Sequence, residues 1–145
     1  MGQYFEIVNI DKKEMLHPHC FGDGLKFWEI AVGDCGILAG LSLLIHQSGD
    51  LSGMPTHGQV KDGVLLKEAI LGSWAGDRIV MVGDYDDSNL YGDESYKNIS
   101  HEVLEILESD PWVKAHRAEG MRFPCHCEKT DEEWINEVKA SRGIA

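Results

Sequence analysis

Two short segments carry the side chains best suited to hold a metal ion. Residues 17–20 read His-Pro-His-Cys and residues 125–127 read Cys-His-Cys. Thiolates and imidazoles are the ligands that zinc prefers, so a fold that brings the two segments together would create a zinc site. The candidate ligands are His17, His19, Cys20, Cys125 and Cys127. Neither segment has the two-residue spacing of a zinc knuckle, and the alternative is surface turns with half-buried thiols.

A second set of side chains suits recognition. Residues 72–85 place an apolar stretch between two Gly-Asp turns, which predicts a strand in the interior of a sheet. Aromatic rings stack on planar ligands, and arginine pairs with phosphate or carboxylate. The predicted contacts to a ligand or partner are Trp74, Arg78, Asp84, Tyr85 and Tyr91. The alternative is structural, with Trp74 in the core and Arg78 paired to Asp77 or Asp84.

No complete catalytic signature accompanies these residues. The chain has no Gly-x-Ser-x-Gly elbow, no Walker A loop and no dinucleotide fingerprint. Oxygen ligands alternate from Asp84 onward as in a calcium loop, but Asn89 and Ser95 stand where an EF-hand needs glycine and glutamate. A solvated acidic loop is therefore favoured there, and the sequence favours a non-enzymatic binding protein without a cofactor.

Charge and composition exclude several classes of protein. Thirteen basic and 25 acidic residues give a net charge of −12, which argues against direct binding of nucleic acid. An acidic protein can instead mimic nucleic acid or meet a basic partner. Residues 1–10 lack the features of a signal peptide, and the apolar run 36–45 is too short to cross a membrane. Four cysteines do not make a disulfide framework, so we expect a cytoplasmic protein.

Apolar periodicity predicts the strands. Residues 3–10 predict a strand in the interior of a sheet, whereas residues 25–32 fit a strand or a short helix equally well. Residues 47–63 are polar and rich in glycine, and they predict a long loop that could act as a lid or contact a partner. Residues 64–71 predict a strand that turns at Gly76-Asp77 to form a hairpin with residues 78–82.

Helical spacing dominates elsewhere. Asp34 is the predicted cap of a buried helix that extends to Ile45, and residues 99–107 predict another helix that stops at Asp110-Pro111. A capping box at Thr130 starts the last predicted helix, with Trp134, Ile135 and Val138 as its buried stripe, ending near Gly143. The predicted fold is α+β: a single domain over residues 1–145, with a mostly antiparallel sheet, a buried helix and two C-terminal helices.

Several motifs are similar to those of a known group of proteins. They lie at residues 1–4, 8–13, 16–19, 21–26, 74–80, 83–85 and 89–91. These motifs resemble a family of small proteins, encoded by bacteria and bacteriophages, that has no established activity. The resemblance runs from the first residue to about Tyr91 and leaves out the Cys-His-Cys segment. It implies a phage-type protein that counters host defence by binding a host protein or a small nucleotide-like molecule.

Three hypotheses therefore remain for function. The first is the non-enzymatic binding protein, acting through the surface around residues 74–91. The second is a zinc-binding module or metal-dependent enzyme. The third is an acidic mimic of nucleic acid. The sequence does not indicate the oligomeric state.

Overall fold

The computed structural model of the protein describes residues 3–47, 60–61, 64–65, 70–120 and 122. Their strands form a four-stranded mixed sheet in the order β5-β1-β2-β6 and a two-stranded antiparallel sheet of β3 and β4. The strands are β1 (Phe5–Asn9), β2 (Glu14–Leu16), β3 (Val60–Lys61), β4 (Val64–Leu65), β5 (Ile79–Gly83) and β6 (Lys97–Asn98). Strand β1 is antiparallel to β2 and β5, whereas β6 is parallel to β2. The α+β prediction is confirmed.

Strand β1 is central, as its apolar sequence predicted. Ile7 and Val8 point to opposite faces of the sheet, and each is 1% exposed. The buried amide of Asn9 shapes the turn to β2, because its oxygen accepts a hydrogen bond from the backbone N–H of Lys12 at 2.9 Å. This turn also places Lys13 in the left-handed region at φ 54°.

Strand β5 corrects the predicted hairpin. It pairs with β1 over the register Phe5↔Gly83 to Asn9↔Ile79, whereas Val64–Leu65 pairs with β3. It ends the described sheet rather than lying inside it, and Val80 is 38% exposed. The segment before it cannot serve as the partner strand, since residues 70–77 form a helical turn and successive turns held by backbone hydrogen bonds to α2. The apolar pattern gave the strand correctly, but its partner lies some 70 residues away in the chain.

Four α-helices and a 3-10 helix complete the described fold. The α-helices are α1 (Phe27–Ala31), α2 (Ile37–Ile45), α3 (Ser100–Ser109) and α4 (Pro111–Glu119), and the 3-10 helix is Pro18–Phe21. The undecided segment 25–32 thus contains a short helix, preceded by an isolated antiparallel bridge between Lys26 and Tyr4. Asp34 does not cap α2, which contradicts the prediction: Gly36 is at the cap position, and the carboxylate of Asp23 accepts the hydrogen bond from the Ile37 N–H at 2.7 Å.

Helix α3 confirms the predicted spacing, with Val103, Ile106 and Leu107 buried. Proline ends this helix and also starts the next, because Asp110 accepts hydrogen bonds from the N–H groups of Trp112 and Val113 as the cap of α4. Helix α4 was not predicted from the sequence. The helix predicted from Thr130 lies outside the described residues, as does most of the predicted loop 47–63.

The core lies between one face of the sheet and the helices. Its largest fully buried side chains include Trp74, Phe21, Ile7, Leu16, Ile30, Ile37, Leu44 and Ile106. A smaller cluster of Val8, Met15 and Val82 covers the other face. None of the helices in the described part of the chain has the length and apolar character needed to cross a bilayer.

Candidate functional site

A cleft of about 520 Å³ opens where the loop before α1, the loop before α2 and the end of α4 meet. Its lining is rich in glycine and ionisable side chains: Gly22, Asp23, Gly24, Glu29, Gly33, Asp34, His116, Glu119, Gly120 and Arg122. Catalytic and binding sites commonly have this form, with a few convergent polar groups in a concavity.

Asp23 lines the cleft and holds the start of α2 against it. It is 5% exposed, and its carboxylate holds the first N–H group of α2. A Cβ atom on Gly36 would lie 2.0 Å from Asp23 Oδ2, and one on Gly33 would lie 2.7 Å from Oδ1. Only glycine therefore allows the loop before α2 to close around this carboxylate. Burial raises the pKa of Asp23, while the hydrogen bond from Ile37 and nearby Arg122 oppose that shift.

The loop held by Asp23 presents Asp34 and Cys35 to His116 on α4. One ligand atom from each of these three side chains lies within 4.8 Å of the other two. Cys35 adopts the left-handed conformation at φ 51°, which is uncommon for a residue with a side chain. Such conformations persist where the surrounding structure enforces them, and they concentrate at functional sites.

Helix α4 is hydrogen-bonded to the same loop. Arg117, 7% exposed, donates a hydrogen bond from Nη1 to the carbonyl oxygen of Cys35 and another from Nε to Glu108 at 3.1 Å. The His116 ring stacks on Trp112 with the ring centroids 5.0 Å apart. These contacts fix both the backbone of Cys35 and the plane of the imidazole.

Asp34 is the common partner in the cluster. His116 Nε2 is hydrogen-bonded to Asp34 Oδ2. That bond is the main reason that the pKa of Asp34 lies below its usual value, and a hydrogen bond from Cys35 contributes. Burial and the Asp34 carboxylate raise the pKa of Cys35. A nucleophilic thiol activated by a histidine would instead have a lowered pKa.

Three of the five zinc ligands predicted from the sequence lie within the described residues. His17 Nδ1 accepts a hydrogen bond from the His19 N–H at 3.2 Å, and the ring centroids are 5.4 Å apart. Cys20 is buried in the core beside the amide of Asn98. Cys125 and Cys127 lie outside the described residues. The convergent ligand set found within the described ranges contains none of His17, His19 and Cys20.

The predicted recognition residues do not form one surface. Trp74 is 0% exposed, and its indole N–H donates to Glu14 at 2.9 Å, so it is a core residue. Arg78 pairs with Asp11, its Nε atom lying 2.9 Å from Asp11 Oδ1, and not with Asp77 or Asp84.

The other three recognition residues lie nearer the surface. Asp84 accepts a hydrogen bond from the backbone N–H of Tyr4 at 3.0 Å. Tyr85 is 64% exposed at a second cleft beside β5, of about 500 Å³. Tyr91 is half-buried, and burial raises its pKa.

The Asp34–Cys35–His116 cluster was not predicted, because His116 lies about 80 residues after Cys35 on a helix that was itself missed. One signal was visible: Gly33-Asp34-Cys35-Gly36 places a carboxylate and a thiol between two glycines. A search with protein-family models found no match to the chain, and comparisons with curated proteins and with solved structures gave no significant similarity.

Proposed function

We propose that this protein binds a divalent transition-metal ion, with zinc as the best chemical match, through Asp34, Cys35 and His116. The observation that carries the proposal is the convergence of a carboxylate oxygen, a thiol sulfur and an imidazole nitrogen within 4.8 Å. These are the three ligand types of protein zinc sites. The mixture of sulfur and nitrogen also disfavours calcium and magnesium, which prefer oxygen.

The three ligand atoms lie no more than 4.8 Å apart, and the hydrogen-bonded pair of Asp34 and His116 would separate to admit an ion between them. Ligand atoms around tetrahedral zinc lie about 3.5 Å apart, given metal–ligand bonds of about 2.0 to 2.3 Å. Asp34 has a side chain that is 72% exposed and can adjust freely, whereas His116 is 34% exposed and is held by its stacking contact. The ion would replace the protons that now link the three groups.

The site is of the open kind. Three protein ligands leave a fourth position of the ion available, and the cluster lies at the wall of the cleft. Structural zinc is usually closed off by four protein ligands, whereas zinc that binds water or a substrate keeps one position free. We therefore place the protein among metal-dependent proteins that bind or act on a small molecule in this cleft.

The test is a titration with zinc and with cobalt, whose thiolate complexes absorb visibly. Wild-type protein is expected to bind one equivalent at this site, and Cys35→Ser, His116→Gln and Asp34→Asn should each weaken binding about 100-fold or more. The matched controls are Asp87→Asn, at an exposed carboxylate away from the cleft, and His19→Gln. A Cys125→Ser/Cys127→Ser double variant tests the zinc site predicted from the sequence. Loss of binding in that variant alone would refute our assignment.

A second candidate function is partner binding beside β5. The exposed ring of Tyr85 at the second cleft favours it, and the partner would be a host protein or a small nucleotide-like ligand. Tyr85→Ala should then weaken binding of that partner while leaving zinc affinity unchanged. Unaltered recovery of bound partners with Tyr85→Ala would exclude this surface.

A further inference from the structure

The side chain of Arg122 lines the cleft and is held there by the surrounding backbone. Its Nε atom donates a hydrogen bond to the carbonyl oxygen of Arg117 at 3.2 Å. Its side chain crosses Gly22, where a Cβ atom would lie 2.5 Å from Arg122 Cδ, and passes Gly120, where a Cβ atom would lie 3.4 Å from Nη2. Gly22 has φ +81°, so two requirements favour glycine there.

The end of this guanidinium has no protein partner among the described residues. Its one side-chain hydrogen bond there uses Nε, and no described carboxylate lies within ion-pairing distance of it. Arg117 differs, because its Nε atom donates to Glu108 and its Nη1 atom donates to the Cys35 carbonyl. Arg122 nevertheless lines the same cleft as Asp34 and His116, two of the proposed metal ligands. The guanidinium thus shares the cleft with the proposed metal ligands, and no described residue accepts a hydrogen bond from its terminal N–H groups.

We propose that Arg122 binds the carboxylate of a small ligand whose other end reaches the metal ion. This inference rests on the proposed function. A guanidinium binds carboxylate or phosphate through two parallel hydrogen bonds, and the cleft volume of about 520 Å³ suits a small organic molecule.

Charge selects between the two oxyanions. Asp23, Glu29, Asp34 and Glu119 line the cleft together with Arg122. With a divalent ion and the Cys35 thiolate in place, negative charge still exceeds positive charge. A singly charged carboxylate is therefore favoured over a doubly charged phosphate.

The experiment is a titration of cobalt-loaded protein with acetate and, in parallel, with inorganic phosphate, followed by calorimetry and by the visible spectrum. We expect acetate to bind more tightly than phosphate. Arg122→Gln should weaken acetate binding about 10- to 100-fold, the loss expected for a charge-assisted hydrogen bond, without weakening cobalt binding. Arg122→Lys should restore part of the affinity, and Arg78→Gln, at an arginine paired with Asp11 outside the cleft, should change nothing.

The outcomes separate the two proposals. Failure to take up cobalt contradicts the metal site, and acetate binding to the metal-free protein that depends on Arg122 would then support the arginine's role alone. Normal cobalt uptake with equal acetate affinity in wild type and Arg122→Gln overturns the assignment of Arg122. Tighter binding of phosphate than of acetate overturns the choice of carboxylate.

Discussion

Replacement of His17 should change how the stability of the protein depends on pH. Burial, with a smaller contribution from nearby His19, lowers the pKa of His17 from its ordinary value of 6.5 to about 4. The neutral ring is also used structurally, because Nδ1 accepts the hydrogen bond from the His19 N–H at the start of the 3-10 helix. Asparagine is the suitable substitution, since its side chain can cap a helix and does not titrate.

The magnitude follows from the two pKa values. Between pH 6.5 and 4 the unfolded chain binds a proton at His17 that the folded protein excludes, so the free energy of unfolding falls as the pH falls. A difference of about 2.5 between the two pKa values corresponds to roughly 3 kcal/mol in all. About 1 kcal/mol of this is lost by pH 5.5, and about 2 to 3 kcal/mol by pH 4.5. Above pH 6.5 the contribution is complete and constant.

Urea unfolding of wild type and His17→Asn at pH 7.5, 6.5, 5.5 and 4.5 measures this difference. Carboxyl groups titrate in both proteins, so the comparison isolates His17. We expect the wild-type free energy of unfolding to fall more steeply, and the imidazole resonance of His17 to titrate near pH 4. Parallel pH profiles in the two proteins, or an NMR titration near 6.5, would refute the burial of a neutral imidazole.

Three further changes test contacts that hold the fold together, two of them at the cleft. Asp23→Ala removes the cap of α2 and leaves the Ile37 N–H unpaired, so it should lower the free energy of unfolding by about 1 to 3 kcal/mol and weaken zinc binding as well; unchanged thermal unfolding would contradict this. Gly36→Ala places a Cβ atom 2.0 Å from the Asp23 carboxylate and should destabilise the protein, whereas Gly76→Ala, a control with open space but φ +82°, should show the effect of backbone strain alone. Trp74→Phe leaves Glu14 without its indole donor and should cost about 1 to 3 kcal/mol in urea unfolding. Equal stability there would mean that the indole hydrogen bond is dispensable.

The sequence predicted elements whose signal is local. Ile7 and Val8, adjacent and both apolar, indicated a strand covered on two faces, and Val103, Ile106 and Leu107 marked the buried stripe of α3. Strand pairing was not predictable in the same way. An apolar strand such as β5 could pair with many segments of the chain. Its pairing with β1 depends on tertiary packing, which no local pattern encodes.

The candidate site was harder to predict for a related reason. Trp74 is of a residue type that is common at recognition surfaces. Its indole can nevertheless be buried, because the indole N–H donates a hydrogen bond to Glu14, which lies 60 positions away on β2. Cys35 and His116 are likewise distant in sequence. Side-chain types led to a zinc hypothesis at other residues, but only the fold shows that Asp34, Cys35 and His116 meet.

The dissociation constant for zinc, measured by competition with a chromophoric chelator in wild type and Cys35→Ser, tests the central proposal most directly. Binding free energies of about 10 to 16 kcal/mol in four-ligand zinc sites amount to roughly 2.5 to 4 kcal/mol per ligand. Loss of the Cys35 thiolate should therefore weaken zinc binding by about 100-fold or more, with one equivalent bound at this site in the wild type. Equal affinity in the two proteins would contradict a metal site at Asp34, Cys35 and His116.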